Sequence, residues 1–123
     1  MGYNKVVFRL CRFWKDGDKL IELYPAIKNR EKTSEWRDMT SYWSRILVSP
    51  HYRITPPKEG AVLDLTIALR VRKAWFTVGF PKDNVPRLEA DIKGLFAHFD
   101  TRQYEIKIEN VREVTENPQR RLD

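Results

Sequence analysis

At 123 residues the chain is expected to form one domain with one hydrophobic core. Apolar residues (AVILMFWYC) at 41% and aromatics at 12% exclude a disordered chain, while 23 Lys and Arg against 17 Asp and Glu give +6 and a pI near 9.6. No apolar run is long enough for a spanning helix, so no membrane partner is expected.

In chain order, Val6, Phe8 and Leu10 alternate with Val7, Arg9 and Cys11, which predicts a strand over residues 4–13. Lys15-Asp16-Gly17-Asp18 is a turn signal and residues 19–24 read as a second, shorter strand, so the pair predicts a hairpin. Residues 25–32 read as a loop, and 13–33 as a basic insertion after the first strand. Ser34 can cap a helix whose Trp36, Met39, Trp43, Ile46 and Leu47 recur at three- and four-residue steps and which ends ahead of Ser49-Pro50.

Residues 51–60 are a proline-rich connector. Leu63, Leu65, Ile67, Leu69 and Val71 alternate with Asp64, Thr66, Ala68, Arg70 and Arg72, which predicts a long strand, followed by another over residues 74–80. Asp83 or Asn84 can cap a second helix with Pro86 in its first turn and an apolar stripe of Val85, Leu88, Ile92, Leu95, Phe96 and Phe99. Tyr104, Ile106 and Ile108 alternate with Glu105, Lys107 and Glu109 in a last strand, and residues 116–123 form a polar tail after a single domain over 1–115. The expected fold is therefore α+β: a ferredoxin-like β-α-β-β-α-β sandwich with two helices on one face of an antiparallel sheet.

Charge adds a partner class. Residues 1–60 hold 12 basic and 7 acidic side chains, a net of +5; residues 61–123 hold 11 and 10, a net of +1. Such asymmetry suggests a polyanion. In the expected fold the open sheet face collects Arg9, Arg70, Arg72, Lys73 and Lys107 for phosphates, with Trp75 as a ring on which a base can stack. Lys15, Lys28 and Arg30, around Trp14 and Tyr24 in the insertion, extend this surface. The expectation is a non-catalytic domain that binds RNA or DNA. A different reading of the same face is an accessory subunit or a homodimer docking through Trp75 and Trp14.

Two resemblances follow from local motifs. RKAWFTVGF (residues 72–80) resembles the third-strand signature of RNA-recognition-motif domains, with Lys73, Val78 and Phe80 matching and Trp75 in place of the first stacking aromatic. Ala74, Phe76 and Thr77 depart from that signature. The resemblance implies the same open-sheet architecture and weak or sequence-independent binding. The stretches PKEGAVLDLTI, RLEADIKGLFAHF and DTRQYEIKI resemble RusA-type Holliday-junction resolvases, which use carboxylates to hold Mg²⁺ for phosphodiester hydrolysis. That resemblance implies Lys93 as a matching position, Glu89 in place of one aspartate and Asp100 for the later acidic pair, with Arg87 and Ala90 standing where an acid and an asparagine belong, and hence a catalytically impaired copy.

Other chemistry is excluded or bland. Cys11 is the one cysteine, which excludes an internal disulfide framework and a cysteine-rich zinc site. His51 and His98 are far apart, and the glycines form no phosphate-binding loop. No cofactor is expected, apart from Mg²⁺ under the nuclease reading. The N-terminal stretch lacks the make-up of a signal peptide, so a cytoplasmic location is expected.

Overall fold

The computed structural model describes residues 5–55, 61–79 and 84–115. The elements are β1 (Lys5–Leu10), β2 (Phe13–Asp16), β3 (Lys19–Glu22), α1 (Leu23–Lys28), β4 (Ser34–Asp38), α2 (Ser41–Leu47), β5 (Val62–Asp64), a 3₁₀ turn (Thr66–Ala68), β6 (Lys73–Val78), β7 (Pro86–His98) and β8 (Gln103–Thr115). Five strands lie side by side in the order β1-β6-β7-β8-β4, with β5 pairing β7 beside that path. β1 and β6 are parallel and the other pairs are antiparallel, while β2 and β3 form a separate hairpin.

This corrects the expected ferredoxin-like sandwich. Among the described residues strand outweighs helix, 54% against 16%, and the sheet curls into a half-barrel. The expected second helix is instead the 13-residue strand β7, hydrogen-bonded along β8. A β-bulge explains the misreading. Ile92 faces Ile108 and Gly94 faces Lys107, so Lys93 is an extra residue in β7 and the inward phase changes there. Leu88, Ala90 and Ile92 are buried before it, and Leu95 and Ala97 after it. The shift turns a period of two into apolar spacings of four and three at Leu88, Ile92 and Leu95, which mimics a helical stripe.

Gly94 is needed on the outward face. A Cβ there would meet the Phe96 ring at 2.9 Å, so the ring lies over bare backbone. A second irregularity sits opposite Glu89–Asp91, where β8 carries the extra residue and Asn110 adopts φ +54. Asparagine tolerates that left-handed backbone better than most residues.

Residues 34–47 divide between strand and helix. Ser34–Asp38 alternates along β8, and Thr40 rather than Ser34 caps the helix, its Oγ1 accepting from Trp43 N at 3.2 Å. The helix stops at Leu47, short of Pro50 as expected. Residues 25–32, expected as loop, include most of α1, whose Leu23, Ala26 and Ile27 share one buried face. So short a helix is held by that packing. The long strand expected over 61–71 is only β5 and the 3₁₀ turn, and Ile67 is 89% exposed where alternation would bury it.

A hairpin forms with a loop opened by Gly17 at φ +61, but its first strand is β2 and not the expected strand over residues 4–13, which ends at Leu10 and pairs with β6. The inward phases of β1 and β8 hold: Val6, Phe8 and Leu10 join Tyr104, Ile106 and Ile108 in one core with Phe76, Leu23 and Leu47. Phe8 stacks on Phe76 at 5.5 Å and on Trp43 at 5.4 Å. No helix among the described residues is long and apolar enough to cross a membrane. The expected polar tail over 116–123, the Asp83 cap and residues 56–60 of the connector lie outside the described residues.

Candidate nucleic-acid interface

Curling brings the two outermost strands of the five-strand path together. β1 pairs with β6 alone and β4 with β8 alone, yet Arg37 Nη2 donates to the Arg9 carbonyl at 3.4 Å. The Arg37 guanidinium also lies 4.8 Å from the Phe8 ring and 5.4 Å from the Trp43 ring. A cleft of about 600 Å³ opens at this seam. Arg9, Leu10 and Cys11 line it from β1 and the residue after it, Trp14 from the hairpin and Leu23 from α1. Lys32, Glu35, Trp36 and Arg37 line the β4 side, with Gln103 beside them.

Two tryptophans and three cations therefore share one cleft with a single carboxylate. Trp14 is 60% exposed and Trp36 is 37% exposed, the latter resting against the His98 ring at 4.7 Å. Glu35 is 6% exposed. Its Oε1 accepts from Arg37 Nη1 at 2.8 Å, from Trp36 N at 3.1 Å and from Lys32 Nζ at 3.3 Å. Its Oε2 is buried with no hydrogen-bond partner among the described residues. Flanking the cleft, the hairpin exposes Phe13, Leu20, Lys15 and Lys19.

The residues expected to bind nucleic acid are dispersed. Arg9 reaches the cleft, while Lys15 stands on the hairpin. Arg70 follows the 3₁₀ turn, and its Nη1 donates to the Arg45 carbonyl in the last turn of α2 at 2.8 Å. Arg72 is exposed just ahead of β6. Lys28 ends α1 and pairs with Glu113 at 3.4 Å, beside a 2.8 Å hydrogen bond from the Tyr24 hydroxyl to the same carboxylate. Burial, and then Glu113, push Tyr24 well above the usual tyrosine range. Arg30 follows α1 with φ +63 and is exposed.

Lys73, Trp75 and Lys107 do lie on the outward sheet face. There Trp75 Nε1 donates to Glu89 Oε2 at 2.8 Å, while Lys5 Nζ lies 3.4 Å and Arg87 Cζ 4.8 Å from the Trp75 ring. Glu89 also pairs with Arg112 and, at 3.7 Å, with Lys73. The Trp75 hydrogen bond holds its carboxyl below the usual range, with burial opposing and Arg112 and Lys73 adding. Lys107 Nζ sits 4.8 Å from the Phe96 ring at the other end of the face.

Glu89 faces Arg112 near the start of β7, whereas Asp100 lies in the turn after its end, so the two do not converge. Among the described residues no three His, Cys, Asp or Glu side chains form a metal cluster.

Sequence reasoning missed Glu35, Trp36 and Arg37 as site residues because it placed them in a helix. Thr40-Ser41 was the usable signal: a second capping position there frees Ser34–Asp38 to read as an alternating strand. Comparison with family models, with curated proteins and with solved structures gives no match.

Proposed function

We propose that this protein binds single-stranded nucleic acid without cleaving it, through the cleft between β1 and β4 and the adjoining hairpin. One observation carries this reading: Arg9, Lys32 and Arg37 line one cleft together with Trp14, Trp36 and a single carboxylate. Cations neutralise phosphates, and exposed indoles offer faces to unstacked bases. A duplex keeps its bases stacked and presents no such faces, which favours a single strand.

Fluorescence anisotropy with labelled single-stranded oligonucleotides tests the proposal. Three phosphate contacts give a log–log salt slope of about −2 on a single strand. Arg9→Ala removes one contact and reduces that slope by about 0.7. Absence of salt-sensitive association, with an unchanged circular dichroism spectrum, overturns the reading.

A further inference from the structure

Resting on that reading, the hollows beside the cleft lengthen the site. We propose that the single strand leaves the cleft across Arg37 and runs along the open edge of β1, with Tyr42 of α2 as a further stacking ring and Arg45 as a further phosphate contact. Trp43 packs on Phe8 at 5.4 Å, which sets α2 beside the edge of β1 that no strand pairs. Two more hollows lie there, of about 490 Å³ and about 360 Å³. The first shares Arg9, Leu10, Cys11 and Arg37 with the cleft, and the second shares Val7 and Tyr42 with the first. The three are successive widenings of one path.

The chemistry of the added path is that of the cleft without its acid. Arg9, Arg37 and Arg45 line the two hollows, and no Asp or Glu among the described residues does. Lys5 lines the far end as well, but its ammonium lies over the Trp75 ring, so no phosphate is assigned to it. Tyr42 is 56% exposed and lines both hollows. It meets Trp43 edge-on at 5.0 Å and 85°, so whichever ring supplies the edge, at least one face of Tyr42 is clear of Trp43. Such a face takes any base. From Arg9 back to Lys5 the strand covers about 13 Å, room for up to about four more nucleotides at ~3.4 Å each.

The test titrates labelled oligo-dT of about four and about ten nucleotides, within the range of single-strand site sizes, in anisotropy. Tyr42→Ala is expected to weaken the longer strand about tenfold, the usual loss of one stacked base, and the shorter less than about twofold. Arg45→Ala is expected to reduce the log–log salt slope by about 0.7 for the longer strand alone. In the wild-type protein, 5-iodouracil at the two ends of the longer strand should photo-cross-link to Tyr42 from one end and to Trp14 or Trp36 from the other. Three results overturn the extension and leave the cleft reading standing: variants that bind the longer strand as the wild type does, variants that lose as much affinity for the shorter, or cross-links confined to the tryptophans. No binding of the longer strand overturns both.

Discussion

Two regions of this molecule set tryptophan among cations, and they use it in opposite ways. On the outward sheet face the Trp75 indole N–H is given to Glu89, its ring carries Lys5 and Arg87, and Glu89 is shared with Arg112 and Lys73. In the cleft Trp14 is more exposed than buried, and the one carboxylate has all its donors on one oxygen. The first region is a closed network whose partners are the protein's own. The second is lined by similar chemistry and has acceptor capacity left over. Residue type alone does not tell them apart; strand register and curl do.

Exchanging one tryptophan at a time breaks or sharpens this contrast most strongly. Trp75→Ala removes a half-buried ring and leaves Glu89 short of a donor, so urea unfolding is expected to show a loss of about 2–4 kcal/mol. Oligonucleotide affinity of the folded variant should change less than about twofold, a change within about 0.4 kcal/mol. Trp14→Ala should do the reverse. Stability stays within about 0.5 kcal/mol, as for exposed positions generally, while affinity falls on the order of tenfold through a lost stacking face worth ~1–3 kcal/mol. Equal effects of the two substitutions on affinity would erase the distinction between the regions.

The parts legible in the sequence are those where one rule decides. β1 and residues 103–108 of β8 keep an uninterrupted period of two, and the Gly17 turn marks a hairpin, so these could be read from residue order. β7 could not. Its extra residue at Lys93 changes phase in mid-strand, and nothing local announces it, because the partner that accommodates the bulge lies on β8. Losing β7 as a strand also lost the curl, and with it the meeting of β1 and β4. Arg9 and Trp14 were therefore visible as basic and aromatic surface residues, but Arg37 and Glu35 were not visible as their neighbours. A cleft formed by the two ends of a sheet has no sequence signature shorter than the sheet.

The closed network should also show itself in acid. Glu89 is held below the usual carboxylate range by Trp75 first, against burial, and then by Arg112 and Lys73. In the unfolded chain it binds a proton near pH 4.3, roughly the ordinary glutamate value. Its stabilisation is complete above that pH and is lost as pH falls through the lower folded value. Glu89→Gln should therefore flatten the decline in urea midpoint as pH falls below about 4.3, although Asp91 and Glu113, also held low, keep part of it. An acid limb as steep as that of the wild type would show that the network does not stabilise the fold.

The smallest effect reports on the cleft without any substitution. Cys11 is exposed, is the one cysteine of the chain, and lines the cleft beside Arg9 and Leu10. Alkylation by iodoacetamide needs the thiolate and an open approach to sulfur. A strand seated between Trp14 and Arg37 covers that approach, so saturating oligonucleotide should slow alkylation about three- to tenfold at low salt and less at high salt. A strand bound instead on the Trp75 face leaves Cys11 reacting at its free rate. Alkylation followed by mass spectrometry, with and without oligonucleotide, therefore decides which of the two tryptophan regions a ligand occupies.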